Sequence, residues 1–206
     1  ILENSCDDKQ MSEIRQMPYF WLRKVTTAIS AWDLDKDGHI GHDAMMNIAD
    51  TFARVGNLNG KSGDNILEVI GELANPGREN PLSEIVKATS FSEHLIGIWR
   101  AKGNPASVKS LRKIYSNMFK IVDCNAAGFL TFDQYLVFWN IFNLDKRFAK
   151  MQFDYMDTDQ SGKISEEQFM NTYRDYLGNT GDDTLNDSSD HSLTIKLGHM
   201  PMMDFV

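Results

Sequence analysis

Three aspartates alternate along one short stretch of the chain, Asp33, Asp35 and Asp37, and are followed by Gly38 and the branched apolar residue Ile40. Carboxylates at every second place of a loop, a glycine at the sixth place and an apolar residue at the eighth supply what a hard divalent cation takes, six to eight oxygens at a flexible distance. Counted from Asp33, that chemistry would use the side chains of Asp33, Asp35 and Asp37, the backbone carbonyl of His39 and water near Gly41. The twelfth place, where a bidentate carboxylate closes such a loop, is Ala44. Asp43 is adjacent, but on a helix its side chain points about 100° away from that of the next residue.

Two more stretches follow the same grammar. In DTDQSGKISEEQ, from Asp157, oxygens come from Asp159, Ser161, the carbonyl of Lys163, Ser165 and finally Gln168. An amide at the twelfth place gives one neutral contact where a carboxylate gives two charged ones, so calcium is expected to bind weakly, at about 10⁻⁴ M or worse by charge count. Magnesium keeps its waters and needs fewer protein ligands, so it suffers less from the change. In DCNAAGFLTFDQ, from Asp123, Ala127 leaves the fifth place without an oxygen and Gln134 holds the twelfth, so no metal is expected there. The expected metal ligands are Asp157, Asp159, Ser161, Lys163 and Gln168 first, then Asp33, Asp35, Asp37 and His39.

Loops of this kind need a helix on each side. Leu22, Val25, Ile29 and Trp32 recur at spacings of three and four before the first loop, and Met45, Ile48, Phe52 and Val55 after it. Leu111, Tyr115, Phe119 and Val122 lead into the second, which Tyr135, Leu136 and Trp139 follow. Ala149, Phe153 and Met156 lead into the third, followed by Phe169, Met170 and Tyr173. The last two loops start 34 residues apart, as expected of two hands stacked as a pair. The interval between Asp33 and Asp123 leaves room for a hand that has lost its ligands, with a strand and exit helix starting in KATSFSEHL. Residues 178–192 are polar and turn-rich and read as a mobile linker; the last stretch turns apolar again, so it is expected to pack rather than hang free. The organisation expected is an extension over 1–16, one lobe over 17–105, a second over 106–177, and linker plus tail over 178–206.

With 206 residues, 42% of them apolar, the chain can bury a sizeable core. A net charge of −8, with 20 of the 29 acids being Asp, argues against a nucleic-acid partner. No apolar run reaches the length of a membrane span. Two cysteines are too few for a disulfide framework, and a cytoplasmic setting is expected; secretion stays open because the chain begins at Ile1 rather than Met. Cys124 reads as a surface thiol, and His39 with His42 as an exposed pair rather than a soft-metal site. Met45, Met46, Met118, Met151, Met156 and Met170 read as fillers of an irregular core, and the four tryptophans as core residues that could also face a flat ligand.

The stretches DLDKDGHI, IVDCNAAGFLTFDQY, NLDKRF and YMDTDQSGKISEEQF, with the wide gap between the first and second of them and the tail ending Asp204-Phe205-Val206, resemble one group of EF-hand proteins. These are the sarcoplasmic calcium-binding proteins of invertebrates and their relatives, calexcitin, the coelenterazine-binding proteins and the calcium-regulated photoproteins. The resemblance implies an all-α fold of four helix-loop-helix units in two paired lobes, with short strands pairing the loops and the tail packed across a central apolar core. Sarcoplasmic members buffer calcium and magnesium in the cytosol; luminous members hold an organic ligand in the same interior. This chain departs from them at the twelfth places, Ala44, Gln134 and Gln168, and ends in valine where photoproteins end in proline. The expectation is a monomeric, non-enzymatic binding protein for divalent metal with weakened calcium sites, the alternative being a carrier of a small apolar ligand or chromophore in the core.

Overall fold

Helices form where the sequence repeats apolar residues every third or fourth place, and each stops at the first residue of a loop. A computed structural model describes residues 6–33, 36–55, 67–68, 70–71, 75, 77, 79–142 and 144–180. Helices α1 (Cys6–Ile14), α2 (Tyr19–Trp32) and α3 (His42–Val55) are followed by a short α4 (Ser83–Val86) and by α5 (Phe91–Lys102). The second half comprises α6 (Pro105–Val122), strand β1 (Phe129–Leu130), α7 (Phe132–Ile141), a 3₁₀ turn at Lys146–Phe148, α8 (Ala149–Met156), β2 (Ile164–Ser165) and α9 (Glu166–Gly178). Among the described residues no helix is long and apolar enough to cross a membrane. Asp35, most of the interval between α3 and α4, and the linker and tail from residue 181 lie outside the described residues.

One apolar core serves both halves of the chain. Phe52 of α3 meets Phe138 and Phe142 at ring separations of 6.0 and 5.9 Å, and Phe138 in turn packs on Phe169 of α9 at 5.4 Å. Fully burying each such ring stabilises the fold by about 1.5–3 kcal/mol, so the halves are bound together by the same residues that fill them. The buried residues of α2 are Trp21, Val25, Ile29 and Ala31; Val25 and Ile29 belong to the expected stripe, whereas Leu22 and Trp32 are only half-buried. The reason is polar: the Trp21 indole N–H donates to the Leu177 carbonyl at 2.9 Å, which turns that edge of α2 toward α9. Lys24 Nζ, one helical turn on, donates to the carbonyls of Tyr176 and Asn179, both at 2.8 Å. The end of α9, whose last carbonyls have no partner inside the helix, is thus closed by α2. Of the methionines expected in the core, Met45, Met118, Met156 and Met170 are buried and Met46 partly so, whereas Met151 is 47% exposed, on the outer face of α8.

Loops pair differently in the two halves. In the second, β1 and β2 run antiparallel with Leu130 opposite Ile164, so the apolar eighth residues of the two loops face each other, both fully buried. In the first half the corresponding residue, Ile40, donates its N–H to Nε2 of His94 at 2.7 Å, and no strand pair forms there among the described residues. A side chain does what a strand partner does in the other half. His94 is fully buried on α5, must be neutral at Nε2 to accept that bond, and its Nδ1 has no hydrogen-bond partner among the described residues.

Burial pushes the His94 imidazole below its ordinary value of 6.5, helped by the proximity of His39. Because the folded state resists protonation, this residue's contribution is fully present above about pH 6.5 and is lost as the pH falls from there toward the folded value. Urea unfolding of the His94→Ala variant at pH 7.5 is expected to show a loss of about 2–4 kcal/mol, from the cavity and the orphaned Ile40 N–H. The same variant is expected to lack part of the wild-type decline in stability between pH 6.5 and 5; an unchanged decline would show that His94 does not set it.

The amino-terminal extension contributes α1, which packs along α5 and is tied to it by Glu13, whose two oxygens accept from Arg100 Nε at 3.0 Å and Nη2 at 2.7 Å.

Candidate metal centre

Among the described residues, the three sequence-defined loops share one pattern of carboxylate–amide bonds. The first aspartate of each accepts two amides with its two oxygens: Asp33 from Asp37 and Gly38 at 3.2 and 3.1 Å, Asp123 from Ala127 and Gly128 at 2.9 and 2.8 Å, Asp157 from Ser161 and Gly162 at 2.9 and 2.8 Å. These carboxylates are buried, and the amides wrapped around them bend each loop back over the site. The bend needs left-handed backbone at the fourth and sixth places. Glycine occupies the sixth, with φ of 76 to 89°, but Lys36, Ala126 and Gln160 hold the fourth at 51 to 60°. That conformation costs an ordinary residue about 1–2 kcal/mol, which the carboxylate–amide bonds offset.

The loop 157–168 brings its expected ligands together. Ser161 Oγ lies 3.3 Å from both Asp157 Oδ1 and the Lys163 carbonyl, and the Ser161 N–H approaches Asp159 Oδ1 at 3.3 Å. The Ser161 hydroxyl above all, then Asp157, the Ser161 amide and Gln168, hold the Asp159 carboxyl below the usual range. Gln168 closes the ring of contacts, its Nε2 donating to Thr158 Oγ1 at 3.2 Å and to Asp159 Oδ1 at 3.3 Å. Its oxygen faces the other way, accepting from the Ser165 N–H at 2.7 Å while Ser165 Oγ accepts from the Gln168 N–H at 3.2 Å. This reciprocal pair is a capping box at the start of α9.

Gln168 therefore has a role that its reading as a weakened ligand left out. Its NH₂ bridges the twelfth and third places, donating to the Asp159 carboxylate that a cation would otherwise take. To offer oxygen to a metal the amide must turn over and give up the Ser165 bond. Gln134 repeats the arrangement, capping α7 with Thr131 and directing Nε2 toward Asn125 Oδ1 and the Val122 carbonyl, both at 3.5 Å. The signal was present in the sequence: Ser or Thr followed three places later by Gln is the capping-box pattern.

In the loop 33–44, α3 starts at His42, the tenth place, as α7 and α9 do at Phe132 and Glu166. The exit helix has neither rotated nor begun early, so Ala44 points into the core and Asp43 to solvent. Asp37 is engaged by His39, from the backbone N–H at 3.0 Å and ring Nδ1 at 2.8 Å. His39 thus competes for one ligand carboxylate while its carbonyl is itself an expected ligand. Asp35 lies outside the described residues.

The hand without a legible loop keeps the same exit. Ser90 caps α5, accepting from the Glu93 N–H at 3.3 Å, and Glu93 accepts from the Thr89 N–H at 2.7 Å. Counted back from this cap, Glu93 is a twelfth-place carboxylate, the one the other three loops lack. The places that would carry its co-ligands are taken up by α4 and its flanks. Among the described residues, no three Asp, Glu, His or Cys side chains converge on one point, so a cation at 157–168 would rest on two carboxylates and neutral oxygens.

A separate cleft opens where α5, α6 and α9 meet. It encloses about 130 Å³ and has an apolar lining that includes Ile98, Leu111, Tyr115 and Met170. Tyr173 also lines it and stacks on Tyr115 with ring centroids 4.3 Å apart. Trp21 and Trp99 pack edge to face on each other at 4.7 Å, and Trp139 donates to the Asp145 carbonyl at 3.0 Å, so these rings are satisfied by the protein itself.

No protein-family model matches the chain, and no curated protein matches it in sequence. Solved structures do match. A calcium-binding protein of Streptomyces coelicolor superposes with a TM-score of 0.64 at 16% identity, over 77% of this chain and 98% of its own. The fold is that of the EF-hand proteins. The coelenterazine-binding protein of Renilla muelleri, in its calcium-loaded apo form, gives 0.59 at 17% identity over 87% of this chain and 94% of its own. Okadaic acid binding protein 2.1 gives 0.63 at 16% identity over 89% and 97%. These likenesses are of fold, and the all-α architecture expected from the sequence is the one found.

Proposed function

We propose that this EF-hand chain binds divalent metal weakly, through the loop Asp157–Gln168 first and Asp33–Ala44 second, as a monomeric cytoplasmic protein of the sarcoplasmic type and not as an enzyme. The observation that supports the reading is that Asp157, Asp159, Ser161 and the Lys163 carbonyl are hydrogen-bonded to one another within one loop, with the Gln168 amide joined to Asp159. Two carboxylates with neutral oxygens put calcium at the weak end of the range such loops span, about 10⁻⁴ M or above. Calorimetric titration of the metal-free chain with calcium and magnesium is expected to give heat in the hundred-micromolar to millimolar range. Asp157→Asn is expected to remove the stronger component with the helical circular dichroism unchanged. Silence toward both ions would sink the proposal.

The second reading is a carrier of a small molecule. It is favoured by the apolar cleft between α5, α6 and α9, and by the solved structures of similar fold that are named for coelenterazine or okadaic acid binding. In that reading the glutamine latches hold the loops closed without metal, and the fold is kept for its interior.

A further inference from the structure

The cleft between α5, α6 and α9 is opposite in charge to the chain as a whole. The chain carries a net charge of −8, yet every Asp, Glu, Lys or Arg lining this cleft is a cation: Lys102, Arg112 and Arg174. The broader groove beside α1, about 420 Å³, is by contrast lined by Glu13, Glu84 and Glu93 together with Lys9, Lys87 and Arg100, several of them paired across it. In the apolar cleft, Lys102 Nζ sits over the Trp99 ring at 3.9 Å, and Arg174 is held by its neighbour Asp175 at 3.1 Å. Arg112 makes no ion pair among the described residues and is exposed at the rim. A second observation is independent of charge. Tyr173 is buried, lines the cleft, and its hydroxyl has no hydrogen-bond partner among the described residues. That hydroxyl is closed off inside the packing, so Tyr173 serves the cleft as part of its apolar wall.

We infer that this cleft takes a small amphipathic carboxylate, a single ring or short alkyl chain carrying one acidic head. The apolar part would lie on Leu111, Tyr115, Tyr173 and Met170, and the head would be held by the Arg112 and Lys102 cations. Size sets the class: a cavity of about 150 Å³ accommodates benzene, and this cleft is of that order and open on one side. Charge sets the head group, since cationic donors bind an ionised acceptor about twice as strongly as a neutral one. The inference rests on the carrier reading and narrows its ligand from apolar to anionic.

The test compares 3-phenylpropanoate with 3-phenylpropan-1-ol, which have the same ring and chain and differ in charge, titrated into the full chain and followed by amide chemical shifts and calorimetry. The carboxylate is expected to bind at least about tenfold more tightly, a difference of about 1.4 kcal/mol, with shifts confined to α5, α6 and α9. Arg112→Glu is expected to abolish that preference while leaving the alcohol's affinity and the melting temperature unchanged. Equal affinity for acid and alcohol would overturn the anionic assignment and leave the carrier reading standing. No binding of either at millimolar concentration would overturn both. Protection of these helices in the ligand-free chain, unmoved by either probe, would assign the cleft to another occupant and overturn the inference.

Discussion

Gln168→Glu is expected to raise calcium affinity at the fourth hand by about a hundredfold, the span that ligand charge count covers between weak and sensor-type loops. One oxygen of the new carboxylate can still accept the Ser165 N–H and keep the capping box, because Glu serves at that place as well as Gln. The other would replace the Nε2 that now donates to Asp159 at 3.3 Å. Without metal, that exchange sets two carboxylates against each other where an amide donor now joins them. The ligand-free variant should therefore melt lower than the wild type, and calcium should more than restore the loss. Calorimetry gives the affinity, and melting with and without calcium gives the coupling. An affinity that does not move would mean that residue 168 does not reach the cation, and the glutamine would then be a cap and nothing more. Ala44→Glu is expected to gain less, because Ala44 is buried against the apolar core and Asp37 in that loop is already engaged by His39.

At high pH the fold is expected to fail cooperatively through its buried phenols. Burial holds Tyr135 and Tyr173 well above the ordinary value of 10.0, and raises Tyr115 as well. The hydroxyls of Tyr135 and Tyr173 have no partner among the described residues to stabilise an anion. A group whose folded value is raised contributes fully below its unfolded value, and that contribution is lost as the pH rises above it. Each phenol that ionises only on unfolding removes about 1.4 kcal/mol per pH unit above 10, so three together remove about 4 kcal/mol per unit from a stability of about 5–15 kcal/mol. Lys24 acts in the opposite sense. Burial lowers it from 10.5 to about 8, so its contribution grows as the pH rises between those values and is exhausted where the tyrosines begin. Stability should rise gently above pH 8 and collapse beyond 10, with tyrosinate absorbance at 295 nm appearing at the same midpoint as the loss of helix. Tyr135→Phe should move that midpoint upward. Tyrosinate absorbance from these phenols before any unfolding would overturn the account.

Much of this was legible from residue types at fixed spacing. Asp33, Asp123 and Asp157, each followed five places on by glycine and seven places on by an apolar residue, specify a loop whose carboxylate must be wrapped by its own amides, and all three loops are so wrapped. The apolar spacing before and after each loop placed the helices, because a helix buries one face regardless of what it packs against. Trp21 is buried as expected of a core tryptophan, but that it rather than Leu22 or Trp32 completes the buried edge of α2 is decided by a carbonyl of α9, 156 residues away. Met151 was misread for a similar reason: its spacing fits a helix, and nothing local tells which side of α8 meets the core.

The sequence by itself determined the four exit helices, the three loop backbones and the absence of a carboxylate at Ala44, Gln134 and Gln168, since each depends on residues within one turn of one another. Only the tertiary structure decided which way the glutamine amides turn, because that depends on Asp159 and Asn125 being folded back against them. It alone placed His94 where a pairing strand would be expected, closed α9 with Trp21 and Lys24, and gathered Lys102, Arg112 and Arg174 from three helices around one cleft. Contacts within a turn are encoded by spacing; contacts between elements far apart in the chain depend on how the whole core packs, and no local pattern carries that information.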